Sequence, residues 1–371
     1  MSLPDAHGLT RDEWRAALTA WGEPAYRLDQ LLEWLYARRA PAWDAMSNLP
    51  RALRQRLSAT WSLRSLELVT RQASGDATQK FLWRLTDGAL IESVLIPASP
   101  ALYGEASDRH TLCVSTQVGC AYGCRFCASG LEGWRRNLRP EEIVQQVLAV
   151  EQWHAARERH EPALATTDPR SRVVSNLVIM GMGEPLANYD HLLKALRILN
   201  APWGGNIGAR KITISTSGLV PQIRRLAGEP EQFRLAISLH GATDAVRDRL
   251  MPVNRKYPLR ELVAACEHYL EHKGRVITLE YLLLEGVNDA PDHARALVQV
   301  AARLRAKVNL IPYNRVEGLP WQQPATSVQE AFYKLLVSGG IQATLRREKG
   351  ADIDAACGQL RLRSERSETR S

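Results

Sequence analysis

The chain has 371 residues, 45% of them hydrophobic, with six cysteines and a net charge of +8. This length suits two domains, or one large α/β barrel with an appendage, and leaves enough apolar residues to fill a sizeable core. No apolar run approaches the ~18 residues that span a bilayer, and the first residues lack the basic-then-apolar pattern of a secretory leader. The expectation is a soluble cytoplasmic protein with no membrane partner. Its surplus of Lys and Arg favours a polyanion, with RNA or DNA first.

Residues 1 to about 75 read as a helical accessory module. Thr10 stands as an N-cap with Glu13 at the third position. The run Tyr26–Tyr36 carries apolar residues at helical spacing. Arg27, Arg38, Arg39, Arg51, Arg54 and Arg56 are interleaved with Trp34, Tyr36 and Trp43. A module that touches RNA backbone and one that merely packs on its neighbour would both look like this.

Residues 76–110 form a hairpin and linker. Lys80–Leu85 and Leu90–Ile96 flank Thr86-Asp87-Gly88, a turn signal, and Glu92 sits among apolar positions of the second arm. From 111 to 345, apolar runs near 111–116, 173–180, 211–216, 234–239, 276–283 and 307–311 alternate with helical stretches. Six such units predict a parallel, barrel-like sheet, a partial (β/α)6 barrel open on one side, with chemistry at the C-terminal ends of its strands. Segment 161–172 reads as a loop insertion. Residues 346–371 read as a loop around Cys357 and a charged, disordered tail.

The sharpest local signal is Cys120, Cys124 and Cys127, spaced C-x3-C-x2-C just after the first barrel strand. Three thiolates so close can hold three irons of a cubane [4Fe–4S] cluster and leave the fourth iron open to a small molecule. Zinc is the main rival, but zinc sites commonly add a second Cys or His pair, and none stands nearby. Buried structural thiols are the remaining alternative. Six cysteines in a long chain without a leader fit a reducing compartment rather than a disulfide framework.

Taken by themselves, the other candidates are weak. Gly181-Met182-Gly183 reads as a strand-to-helix turn. Ser215, Ser238, His240 and Asn314 fall at or beyond strand ends, where polar residues are often structural. Cys113 inside a strand is by default a small hydrophobe, and Cys266 on a helical stretch reads as structural.

Seven stretches together change that reading. They are Cys113–Cys120, Arg136-Asn137-Leu138, Gly181–Asn188, Ser215–Gly218, Ser238-Leu239-His240, Ile311–Asn314 and Asp352–Leu360. In this order they resemble the RlmN/Cfr family of radical S-adenosylmethionine (SAM) RNA adenine methyltransferases, from about residue 20 to 360. The N-terminal module, with Asn48-Leu49-Pro50, and the Asp352–Leu360 stretch look more like the C2-methylating branch.

The resemblance implies a [4Fe–4S] cluster on Cys120, Cys124 and Cys127, with SAM bound at the open iron. It places Gly183, Glu184, Ser215, Ser238, Leu239, His240 and Asn314 around SAM. It implies two SAM molecules per turnover. Cys357 would take a methyl group from one. The second would yield a 5′-deoxyadenosyl radical that abstracts hydrogen from that methyl. The carbon radical would add to an adenine carbon too poor a nucleophile for direct methylation. Cys113 would then attack the Cys357 sulfur, forming a disulfide and freeing the base. Glu92 corresponds to a proton acceptor.

The implied product is C2-methylated adenine 2503 of 23S ribosomal RNA, with adenine 37 of tRNA as a further substrate. C8 methylation of the same ribosomal adenine is the rival within the family. From another class, the rival is a non-catalytic iron–sulfur RNA-binding protein, which would need neither Cys113, Cys357 nor Glu184. A monomer served by an electron donor such as flavodoxin completes the expectation.

Overall fold

The computed structural model describes residues 3–63, 66–98, 109–160, 171–346 and 358–368. Cys357 and most of the 161–172 insertion lie outside them.

The N-terminal module is helical, as read. Helix α1 (Arg11–Ala20) opens on a reciprocal cap: Glu13 N–H donates to Thr10 Oγ1 at 3.3 Å, and Thr10 N–H to Glu13 Oε2 at 2.6 Å. Helices α2 (Tyr26–Leu32) and α3 (Arg51–Thr60) pack Leu28, Leu31, Leu53 and Leu57 inward. The interleaved arginines are largely engaged within the protein. Arg39 is buried against Glu151 at 3.6 Å, Arg38 lies over the Trp34 ring, and Arg56 over the Trp21 ring. The packing role of these residues is therefore on view, and Arg39 ties the module to the barrel.

The module ends sooner than its helical reading to residue 75. Leu66–Ala73 is a strand, β1, because Leu68 and its neighbours pair antiparallel with β2 (Gln79–Leu85), Leu68 facing Trp83. The hairpin of β2 and β3 (Leu90–Pro97) is present, but it belongs to the main sheet: β3 pairs antiparallel with β4 (His110–Cys113).

From β4 the sheet runs parallel through β7 (Val174–Ile179), β8 (Ile212–Thr216), β9 (Arg234–Ser238), β10 (Thr278–Leu283), β11 (Lys307–Pro312) and β12 (Ala343–Leu345). The six expected strands are there. A short seventh, β12, extends them, and β1–β3 extend the other edge into one ten-stranded open sheet. Leu177, Ile179, Ile212, Leu235, Ile237, Leu279, Leu283 and Leu310 are fully or almost fully buried, as parallel strands covered on both faces require. Helices α4 (Pro140–His160), α5 (Tyr189–Asn200), α6 (Val220–Ala227), α7 (Asp244–Leu250), α8 (Leu259–Lys273), α9 (Pro291–Arg303) and α10 (Thr326–Ser338) make the cover.

A separate ribbon of β5 (Gln117–Gly119) and β6 (Trp134–Asn137) closes over the end of β4. Gln117 Nε2 donates to Asn137 Oδ1 at 2.8 Å, and Asn188 Nδ2 donates to the Thr116 and Leu138 carbonyls at 2.9 and 2.8 Å. The tail expected to be disordered is a helix, α11 (Gln359–Glu368), with Leu360, Arg361 and Leu362 buried. No helix among the described residues is long and apolar enough to cross a membrane.

Candidate active site

The strand ends enclose a cavity of about 390 Å3, within the ~300–1,000 Å3 range of small-molecule sites. Cys113, Ile179, Ser215, Ser238, Leu282 and Pro312 reach it from the C-terminal ends of β4 and β7–β11. The sheet thus gathers its polar chemistry where parallel α/β folds place it.

Cys120, Cys124 and Cys127 form part of the wall. Their loop begins at Gly119, whose φ of +75° and contact with the Gly133 carbonyl leave no room for a side chain. Three elements hold the loop from outside. Arg125 N–H donates to the Leu250 carbonyl at 2.9 Å, Trp321 Nε1–H to the Arg125 carbonyl at 2.8 Å, and Tyr313 Oη–H to the Phe126 carbonyl at 3.4 Å.

Burial pushes the Cys120 thiol up to about 12 and Cys124 well above the usual thiol range, and the charges of the neighbouring thiolates and Glu184 push the same way. A bound cation reverses that balance, because a metal takes the thiolate form. Three cysteine sulfurs on one loop at the cavity wall are the soft donors that an iron–sulfur cluster takes, so the donor set fits the cluster.

Gly183 and Glu184 follow β7. Gly183 has φ +99°, and a Cβ there would meet the Gln117 side chain at 2.5 Å. Its backbone passes close under the β5–β6 ribbon, and Glu184 N–H donates to Gln117 Oε1 at 2.8 Å. Glu184 is buried at the cavity wall. Its Oε1 accepts from Leu186 N–H at 3.0 Å and its Oε2 from Ser217 N–H at 2.7 Å. Burial raises its carboxyl above the usual range. Glu184 therefore fastens the turn after β7 to the loop after β8 as well as facing the cavity.

Ser215 Oγ and Ser238 Oγ are 3.3 Å apart on adjacent strands. His240, at φ +51°, accepts from Leu282 N–H at its Nδ1 at 3.0 Å, so the neutral ring carries its proton on Nε2. Burial, with help from the Arg247 charge, lowers the ring to about 3. Its edge meets Phe126 of the cysteine loop, with ring centroids 4.9 Å apart. Asn314 also lines the cavity. Leu239 does not: its side chain is in the core, and its carbonyl accepts from Arg247 Nη1–H at 2.6 Å.

Sequence reasoning missed three polar residues here. Glu280 and Asn309 face each other on β10 and β11, Asn309 Nδ2–H donating to Glu280 Oε2 at 2.7 Å, and both line the cavity. A carboxylate within a parallel strand was the available signal. Arg247, on α7, is fully buried and donates to the Ser217, Ser238 and Leu239 carbonyls and to Asn254 Oδ1. Burial lowers its guanidinium to about 10. Nothing local marks it, since its partners come from three separate segments.

Cys113 is buried at the end of β4 and lines the same cavity. Strand register puts it opposite Val94, and Val94 opposite Lys80, so Lys80, Val94 and Cys113 form one row across three strands. Fully buried Lys80 pairs with Glu92 at 3.1 Å. Glu92 Oε2 and Oε1 accept the Gly358 and Arg361 N–H groups, each at 2.7 Å. No disulfide joins cysteines among the described residues. Cys266 is buried in the core on α8, apart from the cavity.

Residues 171–297 match the Radical SAM superfamily, and residues 5–63 match the ribosomal RNA large subunit methyltransferase N-terminal domain. With the open sheet and its three-cysteine loop, these matches define a radical SAM enzyme carrying an RNA-methyltransferase accessory domain. The chain is 52% identical over 364 residues to the probable dual-specificity RNA methyltransferase RlmN 3 of Opitutus terrae, covering 98% of this chain and 96% of that protein. It is 47% identical to the dual-specificity RNA methyltransferase RlmN of Anaeromyxobacter dehalogenans, covering 96% and 91%. A radical SAM methyltransferase from Sphaerobacter thermophilus superposes with a TM-score of 0.86 at 43% identity, covering 96% and 98%. The chain belongs to the RlmN family of radical SAM RNA methyltransferases.

Proposed function

We propose that this chain methylates C2 of an adenine in 23S ribosomal RNA, adenine 2503, and C2 of adenine 37 in tRNA, through a methylated Cys357. The observation that carries this reading is the convergence on one cavity of Cys113, the cysteine triplet and, from the strand that bears Glu92, Val94 and Ile96; Glu92 itself does not line it.

Cys120, Cys124 and Cys127 would hold the cluster, and Gly183, Glu184, Ser215, Ser238, His240 and Asn314 would surround SAM. When bound, cluster and SAM supply an electron, the methyl group and a hydrogen-abstracting carbon radical. Two SAM molecules are consumed per product, and a flavodoxin-type donor delivers the electron.

Cys357 carries the methyl group, and after loss of one hydrogen its methylene carbon would add to adenine C2. The odd electron of that adduct would return to the cluster that supplied it, and Glu92 would take the proton that C2 loses. Cys113 then attacks the Cys357 sulfur. The sulfur–methylene bond breaks, its electron pair stays on the methylene carbon and takes up a proton, and a Cys113–Cys357 disulfide remains for reduction. His240, kept neutral, offers its Nε2–H as a donor without adding a positive charge. The enzyme works as a cytoplasmic monomer.

The test is anaerobic reconstitution, with about four irons per chain expected for a cubane, followed by mass mapping of the methyl on isolated ribosomal RNA and tRNA. Methyl at C2 supports the reading. Methyl at C8 overturns the regiochemistry, and zinc binding without iron overturns the radical chemistry.

A further inference from the structure

Glu280 stands apart from the other buried glutamates among the described residues. Glu92, Glu142, Glu151 and Glu184 each accept from two or more backbone or guanidinium donors. Glu280 is only 7% exposed, yet it accepts a single hydrogen bond, at Oε2, from the neutral side-chain amide of Asn309. Its Oε1 has no hydrogen-bond partner among the described residues, and it is not sealed from the cavity that Glu280 lines. Arg346 lines the same cavity without forming an ion pair to it. Burial raises the carboxyl above the usual range, with the Asn309 bond and the Arg346 charge opposing. So sparsely held a carboxylate lowers stability unless a further donor reaches it.

Strand register shows where that donor must stand. Ser238, Glu280 and Asn309 lie in one row across β9, β10 and β11, and all three line the cavity. Leu282 and Ile311, the next register pair on that face, line it closer to the strand ends. Two residues of strand measure ~7 Å, so the row lies one layer below the rim. Only a ligand seated inside the cavity reaches it.

The pair also has a polarity. An ionised carboxylate only accepts, so Asn309 turns its NH2 toward Glu280. One N–H of that amide stays available beside Glu280 Oε1, which sets a donor next to an acceptor. Adenine carries the complement, an amino group next to a ring-nitrogen acceptor. Hypoxanthine has an oxygen in place of the amino group and meets Oε1 acceptor to acceptor.

We infer that Glu280 and Asn309 form an adenine-reading subsite on the cavity floor. Glu280 Oε1 accepts from the 6-amino group, and Asn309 Nδ2–H donates to the adjacent ring nitrogen. This rests on the proposed function, which brings two adenine rings to the cavity, one on SAM and one in RNA. Both rings present the same edge.

The experiment uses full-length, cluster-reconstituted protein and measures binding in two arms. One arm compares SAM with its 6-oxo analogue, S-inosylmethionine, by equilibrium dialysis. The other compares an RNA stem-loop bearing adenine or hypoxanthine at the target position, by fluorescence anisotropy. Wild-type protein is expected to favour adenine ~10-fold or more in the arm whose base occupies the subsite. Glu280→Gln keeps the side-chain volume and can still accept from Asn309, but it turns an NH2 toward the ligand. Its preference should reverse toward hypoxanthine. Asn309→Ala should shrink the preference without reversing it. A merely structural role would weaken both forms of a ligand alike and leave the ratio unchanged.

A changed ratio in the SAM arm assigns the subsite to SAM, and one in the RNA arm assigns it to the target base. Equal wild-type binding of both forms in both arms overturns the subsite, as does a wild-type ratio in Glu280→Gln. Should Asn309→Ala fail to fold, Glu280→Gln decides; the wild-type ratios alone can still refute. None of these ratios needs turnover. Absence of methyl from RNA therefore overturns the proposed function and leaves the ratios to decide the subsite.

Discussion

Gly358 N–H and Glu92 Oε2 lie 2.7 Å apart across 266 positions of sequence. This bond draws the end of the chain onto the hairpin that precedes the barrel. It sets the tail beside the hairpin and beside Ser129 of the cysteine loop, two segments that line the cavity from elsewhere in the chain.

Replacing any one of Cys120, Cys124 or Cys127 by alanine removes a third of the donor set. Reconstituted iron is expected to fall from about four per chain to below one, with loss of the cluster's visible absorbance. Cys266→Ser is the matched control. That thiol is buried on α8, and burial pushes it up to about 12. Its replacement should lower stability by about 1–2 kcal/mol, as burying an unpartnered hydroxyl does, while iron stays at the wild-type level.

Arg247→Met should destabilise the chain by about 3–5 kcal/mol, because a buried guanidinium is lost and the Ser217 and Leu239 carbonyls lose their donor. The urea midpoint measures this. SAM affinity, read by equilibrium dialysis on the reconstituted protein, should fall as well, since both carbonyls belong to the loops behind Ser215 and Ser238. Unchanged values for both would mean that water replaces the guanidinium.

His240 gives the chain a pH dependence of definite sign. Its folded value of about 3 lies below the ordinary 6.5. Between these values the unfolded chain binds a proton that the folded chain does not, so stability rises with pH through this window and levels off above 6.5. The contribution lost at pH 5 relative to pH 7 is about 2 kcal/mol. His240→Gln should flatten that part of the acid limb in urea titrations at the two pH values. An equally steep limb in the variant would assign the effect to other groups.

Much of the site was legible because its signals are local. The C-x3-C-x2-C triplet, Gly181–Asn188 and the six apolar strands each lie within a dozen residues, and the strands stand where periodicity put them. Other elements depended on partners that periodicity does not see. Leu66–Ala73 is a strand because β2 supplies its hydrogen bonds. Gln359–Glu368 is charged enough to read as disordered, yet it folds because Glu92 caps it and Leu82 and Leu90 cover Leu360. Leu239 stood beside His240 in a recognisable motif, but strand alternation turned its side chain into the core.

The sequence by itself determined the family, the parallel sheet and the candidates: three thiols at the spacing expected of a cubane and two further cysteines in stretches that resemble the family's. Only the tertiary structure decided which groups act together. Lys80, Glu92, Gly358, Arg247 and Glu280 owe their places to strand register and to buried charge, which must find its partner wherever the fold provides one. The Glu92–Gly358 pairing joins residues 266 positions apart, and those of Arg247 and Glu280 cross between separate loops and strands, so no local pattern records them.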